Sequence, residues 1–499
     1  MTKPLLPNPS LHRPFAWGAG LAMTLAAWAQ GAEPAGAPNP ATDLLHHSRW
    51  EIFNGYAWVM AVAFIVTLVT TPLMRRLAIS YGIVDRPSEA RKVHRMPVAY
   101  MGGVAVFLGM LAAILFSYAS IKFEGLIEYH ATTHATEPEQ RIVPLFVLFG
   151  MTVVVVVGLL DDVWGLAPRV KIGGLLFAAA LLAIDDIGAR VAAQVLSPLG
   201  TLLGNQTLVF TIPLPFTLPG AEVGGIQFDL VYWVGTAIIA FFVLGACNAT
   251  NLIDGLDGLL SGTTAITAIG LLVIALGLAA ADDGVRDTQR LVLCMALIGA
   301  CLGFLPHNFN PATIFLGDAG SLLLGYTTIV IILTLGATDK THLVMAGLIV
   351  FAVPLIDTSL AIVRRKMAGQ SISSADSDHL HHMLKRALGV KGAVLVLYAI
   401  AGSFATLGVI ISAGRARVVY ILALMLASFI GVTAIKIARR KFIEQQALDF
   451  EARRAAGIQP AAPIAAAPSQ ASSHGPSLTP TLAQEQPVGV GGVSQAPMP

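Results

Sequence analysis

The sequence predicts an all-α integral membrane protein, a polytopic helical bundle of about 11 transmembrane helices whose catalytic loops share the cytoplasmic face. Three observations predict it. Of 499 residues only 12% are charged and 55% are hydrophobic, with a mean hydropathy of +0.73, whereas a soluble domain carries about 25% charged residues. Apolar stretches of roughly 17–22 residues alternate with short polar loops, as a bilayer core of about 30 Å demands of helices. Alternating ten-residue barrel strands are absent.

The expected spans are 53–73, 102–121, 143–160, 171–187, 230–248, 261–281, 290–305, 320–336, 343–363, 391–412 and 418–437. Lys and Arg in the loops set the orientation. Arg75, Arg76, Arg86, Arg91, Lys92 and Arg95 precede the second span, and Arg364, Arg365, Lys366, Lys385 and Arg386 lie between the ninth and tenth. Arg439, Arg440 and Lys441 open the tail. An odd number of spans puts all three groups on one side, the cytoplasmic side, with Arg415 and Arg417 a mild dissent. The net charge of +2 singles out no partner, and no nucleic acid is expected.

Residues 1–49 hold a short apolar stretch at 14–29, readable as a signal peptide or a signal anchor, then a Pro/Ala/Asn-rich link. Residues 50–440 form one membrane domain. Residues 441–499 form a cytoplasmic tail poor in aromatics and unable to bury a core. In the external loop 188–229, Thr207–Ile212 between Gly and Pro residues predicts a small hairpin. Cys247, Cys294 and Cys301 fall in apolar spans without metal spacing and read as small core hydrophobes.

The chemistry sits at the cytoplasmic ends of spans. Asn248–Leu259 reads Asn-Ala-Thr-Asn-Leu-Ile-Asp-Gly-Leu-Asp-Gly-Leu, so Asn251, Asp254 and Asp257 follow the fifth span. Asp161 and Asp162 end the third, and Asn308, Phe315 and Asp318 lie between the seventh and eighth. His379, His381 and His382 lie in the loop before the tenth. Each charge costs about 2.5–3.5 kcal/mol at mid-bilayer, so such groups belong to a wet, functional cavity. Clustered carboxylates repel one another unless a cation is present, and hard oxygen ligands suit Mg²⁺ or Mn²⁺. Mg²⁺ takes one or two carboxylates plus substrate phosphates, so phosphate or pyrophosphate chemistry at a membrane face follows. Arg91 and Lys92 supply positive charge for a phosphate, or serve only topology. Singly, each motif also reads as a turn, a helix cap or a solvated boundary; four such coincidences on one face do not.

Together, Leu-Leu-Asp-Asp, Asn-Leu-Ile-Asp-Gly-Leu-Asp-Gly-Leu, Phe-Leu-Gly-Asp-Ala-Gly-Ser and His-Leu-His-His resemble the polyprenyl-phosphate N-acetylhexosamine-1-phosphate transferase superfamily (the MraY/WecA/TagO family) over residues 50–440. The resemblance implies Mg²⁺-dependent transfer of a sugar-1-phosphate from a UDP-sugar to a polyprenyl phosphate, with release of UMP. It implies metal ligation by Asn251 and Asp318, and handling of the lipid phosphate by Asp161 with Asp162 beside it. It implies a uridine site lined by Asp254, Asp257 and Asn308, with Phe315 on the base. His379, His381 and His382 match the histidine motif near the sugar phosphates. The family includes homodimers. His-Leu-His-His is closer to the WecA-like GlcNAc-1-phosphate branch than to MraY, which tends to three consecutive histidines. Ala99 departs from a second proline common in relatives, and both terminal extensions lack a counterpart.

The expected activity is therefore GlcNAc-1-phosphate transfer to undecaprenyl phosphate, initiating a lipid-linked surface polysaccharide. The alternative within the class is transfer of phospho-MurNAc-pentapeptide. A cation-coupled transporter instead predicts carboxylates near the midplane on broken helices, within internal repeats; a scaffold needs no acidic set.

Overall fold

The computed structural model describes residues 48–85, 98–128, 143–213, 225–281, 286–336, 340–367, 380–414 and 422–432, apart from residues 124, 186 and 188, with short helical pieces at 443, 447–448 and 451–452. The chain divides into two units, Met1–Arg439 and Arg440–Pro499, and the first holds everything that follows.

Its helices are α1 (Arg49–Ser80), α2 (Gly102–Ser120), α3 (Leu145–Trp164), α4 (Pro168–Ile184), α5 (Ala189–Leu203), α6 (Leu230–Ile253), α7 (Leu259–Ala280), α8 (Asp287–Asn308), α9 (Gly317–Leu335), α10 (Thr341–Val350), α11 (Ala352–Met367) and α12 (Leu380–Ser412). A further apolar helix, α13, covers Leu422–Val432. Two short antiparallel pairs complete it: β1 (Val84–Asp85) with β2 (Val98–Ala99), and β3 (Val209–Pro213) with β4 (Gly225–Asp229). The second pair is the hairpin expected in the long loop. Helix α5, beside it, was not foreseen.

The fold is the expected polytopic bundle, and the described residues do not confirm the exact count of eleven spans. Among the described residues, eight helices are long and apolar enough to cross a membrane, and nine if α10 and α11, bent by 78° at their junction, make one broken span. The expected spans 171–187 and 418–437 correspond to α4, with 17 residues, and α13, with 11 described residues. At 1.5 Å per residue, 17 residues reach about 25 Å, the lower limit of length for a span. Apolar composition alone did not fix helix length.

Helix α9 is the axis of the bundle, with 94% of its apolar window buried, and α2, α3, α6, α7, α8 and α10 pack on it. Glycines let backbones approach, as membrane helices require where hydrophobicity alone does not drive packing. A Cβ added at Gly103 of α2 would stand 2.0 Å from the Gly320 nitrogen, and one at Gly158 of α3 would stand 2.4 Å from the Ala319 nitrogen. Both glycines therefore hold a helix against the first turn of α9, where the acidic motifs meet. Gly158→Val is expected to destabilise the bundle by about 1–3 kcal/mol, the usual cost of overpacking. Its thermal midpoint in detergent measures this, and activity should fall with it because α3 carries Asp161 and Asp162.

At the far end of the same helices, Arg290 of α8 is fully buried. It donates to the Thr334 carbonyl of α9 at 2.8 Å and pairs with Asp287 one turn earlier. This clasp fixes the end of the α8–α9 pair remote from the acidic cluster.

Candidate active site

The ends of α3, α6 and α8, the starts of α4, α7 and α9, and the loops that join them build one acidic site. Helix α6 ends at Ile253 with Asp254 as its C-cap, and the chain turns through Gly258, at φ 77°, into α7. Helix α8 ends at Asn308, and Gly317, at φ 68°, opens α9. Side chains tie the two loops together. Asp257 Oδ2 accepts from Asn310 Nδ2 at 2.8 Å and from the Ala312 N–H at 3.0 Å. Asn308 Oδ1 accepts from the Gly258 N–H at 3.1 Å and Ser261 Oγ at 2.9 Å, while its Nδ2 donates to the Ile314 carbonyl at 3.1 Å. The Asn308 side chain is thus spent on the fold, and the residue is 3% exposed.

The Asp161–Asp162 pair divides its work. Asp162 caps α9 from a neighbouring helix: its Oδ1 accepts the Asp318 N–H at 2.8 Å and its Oδ2 the Ala319 N–H at 3.1 Å. A carboxylate there complements the positive helix end. Gly317 is required for it, since a Cβ would meet Asp162 Oδ2 at 2.4 Å. Asp161 instead faces the site. Its Oδ1 accepts the Leu166 N–H at 2.6 Å and its Oδ2 accepts from Lys171 Nζ at 3.0 Å. The same ammonium reaches Asp318 Oδ2, and Asp318 Oδ1 accepts from Asn251 Nδ2 at 2.7 Å. Asn251 Nδ2 also lies 3.0 Å from Ser321 Oγ.

Lys171 therefore bridges Asp161 and Asp318 from the first turn of α4. The sequence reading missed it, because a lysine at the edge of an apolar run looks like a span boundary. Its spacing from the Asp-Asp pair, across the short α3–α4 turn, was the available signal.

Asp254 is half-buried beside this cluster. Burial first, then repulsion from Asp318, Asp162 and Asp257, pushes its carboxyl up to about 8. A carboxyl with a folded value near 8 and an unfolded value of about 3.9 holds a proton in the folded state that the unfolded chain has lost. Its contribution to stability is therefore complete below pH ~4 and disappears as pH rises through about 8. In EDTA the thermal midpoint is expected to fall over that window, and Asp254→Asn to flatten the fall.

The first loop reaches the same place. The Ala99 carbonyl accepts the Phe315 N–H at 2.8 Å, and the Phe315 carbonyl accepts the Gly102 N–H at 2.9 Å. Ala99, the departure from the family pattern, thus sits in a regular strand docked on Phe315. Phe315 is half-buried, its ring centroid 6.1 Å from that of Tyr100 at 56°. The Tyr100 hydroxyl is held protonated by burial and then by Asp85, Asp162, Asp318 and Asp254. Tyr100 is a second residue the sequence reading missed; no charge or motif marks it.

The structure thus brings together Asp161, Asp162, Asn251, Asp254, Asp257, Asn308, Phe315 and Asp318. His381 is 1% exposed and lies behind the site, and half-buried His382 lies beside it with ring centroids 4.3 Å apart. Arg91, Lys92 and His379 lie outside the described residues.

Among the described residues, no three His, Cys, Asp or Glu side chains converge as a ready metal cage. The donor set nonetheless fits a hard cation that takes one or two carboxylates plus substrate phosphates. Asp161 and Asp318 already share one positive charge, that of Lys171, and Asn251, in contact with Asp318, brings a carboxamide oxygen to the same donor set.

Comparison with known proteins agrees with this geometry. The family model for glycosyl transferase family 4 matches residues 144–336. A probable undecaprenyl-phosphate N-acetylglucosaminyl 1-phosphate transferase of Bacillus subtilis is 34% identical over 358 residues, covering 70% of this chain and 85% of the relative. A decaprenyl-phosphate N-acetylglucosaminephosphotransferase of Mycolicibacterium smegmatis is 33% identical over 401 residues, covering 77% and 89%. A phospho-N-acetylmuramoyl-pentapeptide-transferase of Bacillus cytotoxicus is 30% identical over 336 residues, covering 66% and 90%. With acidic helix ends, the α9 cap and relatives matched over most of their length, the chain belongs to glycosyl transferase family 4, in its polyprenyl-phosphate N-acetylhexosamine-1-phosphate transferase superfamily.

Proposed function

We propose that this protein transfers GlcNAc-1-phosphate from UDP-GlcNAc to undecaprenyl phosphate, in a bacterial inner membrane with the site facing the cytoplasm. The observation that carries the reading is the Asp161–Lys171–Asp318 bridge, set beside Asp254 at the ends of apolar helices. In the reaction an oxygen of the lipid phosphate forms a bond to the phosphorus that bears the sugar. The bond from that phosphorus to its bridging oxygen breaks, and UMP leaves with the electron pair. Products are the lipid pyrophosphate sugar and UMP.

The residues divide this work. Lys171 offers an ammonium to phosphate oxygens, and Asp161 holds it in place. Asp161 also orients the incoming lipid phosphate or takes its proton. Asp254 and Asp257, with Phe315 and Tyr100, border the region for the nucleotide. Asn251 and Asp318 would hold Mg²⁺ or Mn²⁺, which when bound neutralises the pyrophosphate and the leaving group. Such positioning supplies most of the rate in phosphoryl transfer.

Two relatives named for N-acetylglucosamine transfer match more strongly than the one named for the muramoyl-pentapeptide. This supports GlcNAc as the sugar. A cation-coupled transporter fits less well, because Asp161 and Asp162 close α3, Asp254 follows α6 and Asp318 opens α9, all at one end of the bundle. The test is UMP release by purified protein given undecaprenyl phosphate, UDP-GlcNAc and Mg²⁺. Release should need both substrates and stop in EDTA. Release only with another UDP-N-acetylhexosamine moves the sugar; silence from folded protein with every donor overturns the transferase reading.

A further inference from the structure

Asp357 belongs to none of the motifs above. It lies in the apolar run of α11 and is 2% exposed, a place where a carboxylate without partners is costly. Its Oδ1 accepts the Leu380 N–H at 2.9 Å, at the first residue of α12. Its Oδ2 lies 3.4 Å from Nδ1 of His381. The opposite edge of that ring meets the α6–α7 loop: a Cβ added at Gly255 would stand 2.5 Å from His381 Nε2. Gly255 follows Asp254 directly. The His382 ring leans on the His381 ring at 4.3 Å between centroids, with 47° between planes. His381 is too enclosed to meet a substrate itself. It is a wedge between α11 and the loop of Asp254 and Asp257.

We propose that Asp357 is a positioning residue for the nucleotide-sugar end of the site: by anchoring the start of α12 at Leu380 and lying against the Nδ1 edge of His381, it sets the place of that ring, of His382 and of the Asp254–Asp257 loop. The inference rests on the UDP-sugar reading above. At 3.4 Å the carboxylate contacts the edge of the ring without a hydrogen bond between them, and its anchor on the Leu380 N–H fixes the residue immediately before the ring, so the place of the ring follows from Asp357 through the first turn of α12. Asp357 Oδ1 accepts the Leu380 N–H, and Oδ2 faces the edge of the ring. Asparagine has one acceptor oxygen and no charge, so Asp357→Asn keeps the volume but weakens the Leu380 anchor or the contact with the ring edge. Misplacement of about 1 Å at a reacting centre costs on the order of 10²-fold in rate.

The experiment is steady-state UMP release in detergent by wild type, Asp357→Asn, His381→Asn, their double variant and Gly255→Ala, with KM measured separately for UDP-GlcNAc and undecaprenyl phosphate. Asp357→Asn is expected to lower kcat/KM for UDP-GlcNAc by about 10²-fold, with KM for the lipid unchanged. The double variant should lose no more than His381→Asn alone, since both act through one ring. Gly255→Ala, which pushes the ring from its other edge, should give the same donor-side signature and keeps the test open if Asp357→Asn fails to fold. Additive losses in the double variant overturn the proposal. So does a folded Asp357→Asn or Gly255→Ala protein whose KM and kcat match wild type, whatever its thermal midpoint. A wild type silent with every UDP-sugar removes the underlying reading and this inference with it; an active wild type with unaltered variants removes the inference alone.

Discussion

Asp318→Asn is expected to lower UMP release by at least 10²-fold, on the order of the loss when one charged transition-state contact is removed, while the bundle stays folded. The side chain joins every part of the site. Its carboxylate takes Lys171 on one oxygen and Asn251 on the other, and its backbone N–H is capped by Asp162. The substitution keeps the shape and the cap but removes one of the two negative charges that invite a cation. Loss of turnover with an unchanged elution volume and thermal midpoint is the expected pair of observations. A folded Asp318→Asn enzyme with wild-type turnover would move the metal and the chemistry elsewhere.

Lys171→Met should have the second largest effect, and it separates two properties. Without the ammonium, Asp161 and Asp318 face each other with no counter-charge. Breaking a fully buried pair from one side costs about 3–5 kcal/mol. Here the side chains of Lys171 and Asp161 are 16% exposed and that of Asp318 is 28% exposed, so a loss of about 1–3 kcal/mol is expected in EDTA, after allowance for water. Mg²⁺ should restore much of the thermal midpoint, because a divalent ion replaces the missing charge, and should not restore turnover. Equal midpoints for wild type and variant in EDTA would show that Lys171 does not hold the cluster together.

The sequence made the membrane character and the acidic face legible because both are compositional. Charge is expensive in apolar runs, so Asp161, Asp254 and Asp318 announce themselves wherever a run ends. Span number was less legible, since α4 is apolar but only 17 residues long, and α10 and α11 form one run broken by a 78° bend. Roles within the site were the least legible. Asp161 and Asp162 are neighbours in sequence, but the rotation of about 100° between adjacent helical residues points one at Lys171 and the other at the N-terminus of α9. Asn308, expected at the uridine site, also clasps the two loops together, a role its sequence position did not reveal. Lys171, Tyr100 and Asp357 carry no motif, although Asp357, an acid inside an apolar run, obeyed the same rule that exposed the others.

The central claim is that a phosphosugar, not a sugar, moves to the lipid. UDP-GlcNAc labelled with ³²P at the phosphorus next to the sugar distinguishes the two most directly, after incubation with the protein, undecaprenyl phosphate and Mg²⁺ and extraction into organic solvent. The account predicts label in the lipid fraction together with GlcNAc, and unlabelled UMP in the aqueous phase. Label remaining with the nucleotide as UDP, while GlcNAc enters the lipid, would contradict it.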